Sequence, residues 1–473
     1  MRSGKVINKP FAAMRLLPVC AALLALAACN ATQQMPTLPK QDIPSQWSHA
    51  LQSAPQAPVL DPHSWWRHFH DPLLDRLVEQ ALANNLSVAQ AKARIERARL
   101  LLGHSGDEFL PALHARTQAV DTPDATRSYF QYGLDASWEL GLFGRGESEQ
   151  RLAQAAVAEA GADAEAARVA VIAEVVRNYL ELRAHQRQLA DLQQQRQLLQ
   201  ERLGLLDLRT KLHLPAQADR VQTEQGLSQL LAGETELRRE SDAAAQRLAL
   251  LLGLARPDED WLAPASLPVL APFAIAGVPG ELLRNRPELH RAESAVLAAA
   301  AQLGVARSEL YPHVSLGASY LYAVDVTHGF DLNDANHSRL AVAPVIDIPL
   351  FDWGQRRAAV SAGEMALNEN LLAYRAAVLD AVGESELALS SLQWQQRLLQ
   401  QATDNLALQQ RQVAQVDRKR QLGFASKLDV LTAQQALQQV QQSVLDAQMA
   451  ESLAFIALYK ALGGSALPDE GAR

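Results

Sequence analysis

Two stretches of this chain, residues 77–253 and 282–463, carry the same landmarks in the same order although few letters match between them. Leu110-Pro111 answers to Tyr311-Pro312 at a spacing of 201, and Leu142-Phe143 to Leu350-Phe351 at 208. Asp219 then answers to Asp429, and Leu252-Gly253 to Leu462-Gly463, both at 210. A spacing that grows and then holds predicts a duplicated unit whose second copy has a longer hairpin. Each copy should hold the same elements, and that symmetry narrows the fold more than composition does.

The N-terminus carries an address. Arg2, Lys5, Lys9 and Arg15 precede an apolar run over residues 16–28, the layout of a secretory signal and too short to span a bilayer; Met14 is an alternative start. The run ends in Leu26-Ala27-Ala28-Cys29, which resembles a bacterial lipobox, so cleavage before Cys29 would leave a lipid-modified first residue. The other reading is an ordinary small-residue cleavage site with an incidental cysteine. Asn30, not aspartate, follows, which points to the outer membrane. Cys20 and Cys29 are the only cysteines, so a disulfide framework is excluded. A net charge of −8 without any Lys/Arg block gives no face for nucleic acid. The 48% hydrophobic content comes largely from Ala and Leu, the composition of packed helices.

The prolines locate those helices. None lies between Pro123 and Pro215 or between Pro349 and Pro468, so residues 146–214 and 354–423 can each form one helix of about 100 Å. Each copy also has two shorter helical stretches, 73–109 with 215–252 and 282–310 with 424–462, whose summed lengths match the long helix. Leu367, Leu371, Tyr374, Val378 and Val382 recur at three- and four-residue steps, a lateral seam that a dimeric coiled coil would also show.

Alternation separates these readings. Phe130, Tyr132, Leu134, Ala136, Trp138 and Leu140 alternate with Gln131, Gly133, Asp135, Ser137 and Glu139. Residues 112–120 form a weaker partner strand. In the second copy Val314, Leu316, Ala318, Tyr320 and Tyr322 alternate with polar or small residues, and Leu340, Val342, Ile346 and Ile348 line a fourth strand. Two hairpins of roughly ten residues per strand have the dimensions of transmembrane β-strands, although a half-exposed soluble sheet alternates in the same way. Four strands cannot close around water, and open edges in hydrocarbon leave backbone groups unpaired. Three copies would supply about twelve strands, enough to enclose a lumen.

These residues resemble the TolC-like outer-membrane factors, in particular the NodT-type efflux lipoproteins. The resemblance runs from Trp65-Trp66 with Asp71-Pro72 to Tyr459-Lys460-Ala461-Leu462-Gly463-Gly464. Its most specific blocks are Leu283-Arg284-Asn285-Arg286-Pro287-Glu288-Leu289, Gly304-Val305-Ala306-Arg307 with Tyr311-Pro312, Pro349-Leu350-Phe351-Asp352 with Gly354, and Ser137-Trp138-Glu139 with Leu142-Phe143-Gly144. It implies a mainly α fold with a transmembrane β part, in which a homotrimer forms a β-barrel continued by a helical periplasmic tunnel. It implies no catalysis. The implied partners are a periplasmic adaptor, an inner-membrane pump reached through it, and outer-membrane lipid. The expected organisation is a signal peptide (1–28), a lipidated segment (29–72), a first repeat (73–254), a linker or equatorial belt (255–280), a second repeat (281–464) and a disordered tail (465–473). A duct for protein secretion, or a lipid-tethered coiled coil without a pore, are the alternatives.

The long and short helices should meet at Leu212, His213 and Leu214 in one copy and at Leu422, Gly423 and Phe424 in the other. By the resemblance these turns are the tunnel tip that receives the adaptor. Lys427-Leu428-Asp429-Val430-Leu431 is similar to the family's aperture segment. Asp429, and by repetition Asp219, would each form a ring of three carboxylates, with Leu428 as an apolar constriction; Thr432 stands where some members carry a second aspartate. Both aspartates are equally readable as residues of a helix N-terminus, favoured there by the dipole. His68 and His70 read as a surface pair, and Trp65 and Trp66 as packing against the start of the first helix. No phosphate loop, HExxH, nucleophile elbow or Rossmann glycine pattern occurs, so no cofactor is expected.

Overall fold

Each copy runs helix, strand hairpin, long helix, shorter helix, and the computed structural model describes this path over residues 43–48, 64–120, 129–274, 280, 283–325 and 337–464. Cys29, the signal segment and the 465–473 tail lie outside the described residues. The first copy comprises Pro72–Asn84 (α1), Leu86–Gly103 (α2), strands Ala112–Val120 (β1) and Tyr129–Leu140 (β2), Arg145–Lys211 (α3) and Gln217–Leu251 (α4). A short helix, Glu259–Leu262 (α5), follows. The second copy comprises Pro287–Ser308 (α6), His313–Asp325 (β3), His337–Asp347 (β4), Gln355–Gln421 (α7) and Lys427–Ala461 (α8). Helices α3 and α7 each have 67 residues, about 100 Å of rise. Among the described residues no helix is long and apolar enough to cross a membrane.

The chain divides into two units. One contains Glu96–Glu159 and Ala292–Tyr374 and is built on a four-stranded antiparallel sheet in the order β1-β2-β3-β4. Its seam between the copies sets Tyr132 opposite Tyr322 and Trp138 opposite Leu316. The sheet has an aromatic face, where Tyr132 stacks on Tyr322 at 5.6 Å, and a polar face, where the Ser319 hydroxyl donates to Asp135. Strands β1 and β4 are edges. At the foot of the sheet Arg145 reaches Glu139 (3.2 Å), Glu309 (3.3 Å) and Glu108 (3.6 Å). Glu108 and Glu309 are copy-related, so one guanidinium holds the two copies together.

The other unit contains Gln41–Ile95, Ala160–Arg291 and Arg375–Arg473. Its core joins α1, α3, α4, α7 and α8 through Leu74, Leu77, Ile172, Val176, Leu248, Leu389 and Leu458. Asp71 caps α1 by accepting from Leu73 and Leu74 N–H, and it also accepts the Tyr179 hydroxyl at 2.5 Å. Burial, then that bond to Asp71, pushes the Tyr179 hydroxyl well above its ordinary range. Arg183 is buried on α3 and donates to the carbonyls of Trp261 and Ala263, which fixes the segment after α4 to the first long helix.

Two expectations need correction. The stretch 73–109 is not one helix, because buried Asn85 breaks it: its side chain caps α2 through Ser87 and Val88 N–H and donates to the Leu251 carbonyl at 2.8 Å. The spacing of 208 is also wrong. Ala112 opposite Ser137 corresponds to His313 opposite Asp347, so the spacing is 201 for the first strand of each hairpin and 210 for the second. Left-handed Phe143 (φ 58°) therefore answers to Trp353 (φ 56°), not to Phe351. Trp65 and Trp66 share a core with Leu74 and Leu77 of α1, as expected, and Trp65 also stacks on Tyr459 of α8 at 4.4 Å and meets Phe455 at 5.5 Å.

Candidate aperture and docking turns

The two helical hairpins turn in the same way with different residues. Helix α3 closes with Leu214 N–H on Arg209 O and His213 N–H on Thr210 O, and α7 closes with Phe424 N–H on Lys419 O and Gly423 N–H on Arg420 O. This paired pattern satisfies the last carbonyls and needs a left-handed residue. His213 takes that place at φ 58° and Gly423 at φ 82°. Glycine adopts this conformation freely whereas histidine is strained, so His213→Gly should stabilise the first turn by about 1 kcal/mol. Hydrogen exchange of the 211–214 amides should slow about fivefold in that variant. Leu212, Leu214, Leu422 and Phe424 are all exposed, Phe424 by 82%.

Beyond the second turn, Ser426 and Asp429 form a reciprocal cap. The Ser426 hydroxyl accepts from Asp429 N–H at 3.2 Å, and the Asp429 carboxylate accepts from Ser426 N–H and hydroxyl at 2.7 Å each. The Ser426 N–H, then its hydroxyl, hold the Asp429 carboxyl below its ordinary value of 3.8. This contribution to stability is complete above that value and is lost as pH falls through the lower folded value. Asp219 sits at the same place in α4, but the cap position there is Ala216, with no side chain to reciprocate. Asp219 is exposed, and its carbonyl accepts the Thr223 hydroxyl at 2.7 Å.

Thr432 is tied to the other copy: Arg202 of α3 donates to its hydroxyl at 2.9 Å, and that hydroxyl donates to the carbonyl of half-buried Leu428. Lys427 pairs with Glu201 at 2.9 Å beside it. Ser426, Arg202 and Glu201 do not figure in the sequence-based site, and Lys427 figures there only as part of the aperture segment, without its partner. The Ser-x-x-Asp spacing of residues 426–429 was the available signal for the cap. No signal marks Arg202, whose partner lies 230 residues away. His68 lies with its ring 6.1 Å from Phe273, and the His70 ring bonds the His68 carbonyl. Among the described residues no group of His, Cys, Asp and Glu could hold a metal ion.

One strand hairpin and one helical hairpin in each of two copies, with the four strands in a single sheet, are the pattern of the outer-membrane channel class. The model of the outer membrane efflux protein family matches residues 77–254 and 278–464, the two copies. The chain belongs to this family of channels, which are not enzymes. It is 29% identical to the pyoverdine export outer membrane protein OpmQ of Pseudomonas putida, over 97% of this chain and 98% of that one. It is 30% identical to the outer membrane protein OprJ of Pseudomonas aeruginosa, over 95% of each. The solved outer-membrane channel OprN is 28% identical and superposes with a TM-score of 0.77, over 91% of this chain and 99% of that one.

Proposed function

We propose that this chain is the exit duct of a tripartite efflux system and works as a homotrimer. Its twelve strands would close a barrel in the outer membrane and its helices a periplasmic tunnel. The observation that carries the reading is the four-stranded sheet with two unpaired edges in a member of the outer membrane efflux family. Backbone groups on such edges need partners in hydrocarbon, and two further copies supply them. Lipidation at Cys29 would add an anchor. The exposed apolar side chains of Leu212, Leu214, Leu422 and Phe424 suit docking of a periplasmic adaptor that leads to an inner-membrane pump. OpmQ, by its name a pyoverdine exporter, shows the kind of small-molecule cargo such a duct can pass; the choice of cargo would rest with the pump. Native mass spectrometry of the detergent-extracted mature protein tests this. A trimer with acyl mass at Cys29 supports it, and an unlipidated monomer retires it.

In this reading Asp429, with Leu428, narrows the closed end, and Asp219 forms a second ring. Arg202 with Thr432 and Lys427 with Glu201 hold α8 against α3 in the closed arrangement. Because Asp429 also caps α8, two variants are needed to separate the roles. Ser426→Ala removes the cap, costing about 1 kcal/mol, and keeps the charge. Asp429→Ala removes both. Single-channel conductance in planar bilayers should rise for Asp429→Ala and stay near the parent value for Ser426→Ala. Equal conductance in both variants would mean that the aspartate is a cap alone.

A further inference from the structure

The copies correspond residue by residue, by 201 from β1 to β3 and by 210 from β2 to β4. Inside the chain they join where β2 pairs with β3, with Leu140 opposite Val314, Trp138 opposite Leu316 and Ser137 opposite Gly317. The strands β4 and β1 are the copy-related equivalents of β2 and β3, and both are edges. Carrying the same spacings across the edge fixes how a further molecule would join. We propose that β4, continued to Leu350 in the assembly, pairs antiparallel with β1 of a second copy of this chain in a single register: Leu350 opposite Leu113, Ile348 opposite Ala115, and Asp347 opposite Arg116 of that copy, with the last pair an ion bridge that locks the register. The inference rests on the trimeric reading above and adds to it the contacts that make the seam.

Observations not used to derive the register agree with it. Asp347 and Arg116 are opposite charges that fall directly opposite one another. A slip of two residues would set Arg116 against Val345 or Pro349, and a slip of one would exchange the two faces. Both lie on their strands' polar faces: Asp347 is paired with His313, and Arg116 is 3.9 Å from Asp135 on its own chain. In the seam the guanidinium would lie between two carboxylates. On the other face Leu350 meets Leu113 and Ile348 meets Ala115. Leu350 is 90% exposed and Leu113 68%, whereas their equivalents Leu140 and Val314 are half-buried at the internal seam. Below the sheet, Phe143 stacks on Tyr311 at 4.9 Å and 13°. Its equivalent Trp353 is 91% exposed, and the matching surface is Leu110 of the second copy, also exposed.

Cysteine pairs that leave the ion bridge intact test the register. Ala115→Cys combined with Ile348→Cys in the full-length lipoprotein should give, on mild oxidation, a ladder of disulfide-linked dimers and trimers. Ala115→Cys with Ile346→Cys or Leu350→Cys should give at least about tenfold less, since diagonal neighbours exceed disulfide reach. A ladder strongest at 346 or 350 overturns the register and leaves the trimer standing. No ladder from any pair, together with a monomeric native mass, removes the trimer reading and the inference with it. The bridge has its own test: Arg116→Asp should lower the yield of detergent-resistant oligomer, and adding Asp347→Arg should restore it. Failure of the exchange to restore the oligomer overturns the bridge.

Discussion

Trp65→Ala is expected to destabilise the helical unit by about 3–5 kcal/mol. The indole is fully buried, stacked on Tyr459 with 27° between planes and set edge-on to Phe455. Alanine forfeits the buried area and leaves a cavity that the surrounding helices fill only in part, and the ring geometry adds about 0.5–1.5 kcal/mol per aromatic pair. The contact also closes the chain on itself, tying the segment before α1 to the last turns of α8. Thermal unfolding followed by far-UV circular dichroism should begin several degrees lower in Trp65→Ala. Trp65→Phe keeps a ring over Tyr459 and should lose only about 1 kcal/mol. A Trp65→Ala protein that melts with the parent would show that the aromatic cluster does not hold the unit together.

Gly463→Ala should cost about 3 kcal/mol, for two separate reasons. The residue is left-handed at φ 87°, a conformation that strains any side chain. A Cβ there would also lie 2.7 Å from the Arg286 Cα and 2.9 Å from its backbone nitrogen, neither of which can move as a side chain can. Arg286 is itself buried, donating to the Ala381 carbonyl at 3.1 Å and pairing with Glu384, so displacing it disturbs α7 too. The copy-related Gly253, at φ 74° and with its Cβ position 2.9 Å from Asn84 O, predicts a similar penalty for Gly253→Ala. Faster proteolysis of both variants, measured on the folded protein, checks the pair.

The long helices were legible because absence of proline over sixty residues is a local property. The strands were legible because alternation is local as well. What escaped was non-local. Trp65 and Trp66 do share a core with Leu74 and Leu77 of the helix that follows them, but the stacking of Trp65 on Tyr459 from the far end of the chain had no local signal. Asn85 broke a helix without proline or glycine; asparagine is a favoured cap residue, but an otherwise continuous helical pattern hid it. The two-residue error in matching the copies came from pairing Leu142-Phe143 with the identical letters Leu350-Phe351. The turn selects a backbone conformation, and there Phe143 and Trp353 are equivalent. At the aperture, position and charge of Asp429 could be read in advance, but its bonds to Ser426 could not be weighed against its ring role until the cap geometry was known.

The internal seam also sets an order of folding. Only eight residues separate β1 from β2 and eleven separate β3 from β4, whereas the seam joins Leu140 to Val314, about 170 residues on. By chain entropy alone that closure costs roughly 4–5 kcal/mol, more than twice the cost for a turn of about eight residues. The hairpins should therefore form early and the seam late, and until it closes β2 and β3 present bare edges to any neighbouring molecule. Those edges would pair equally well with the matching strands of another chain, which is domain swapping. The helices between them make the tether that opposes it, because strands of one chain meet at a higher effective concentration than strands of separate dilute chains.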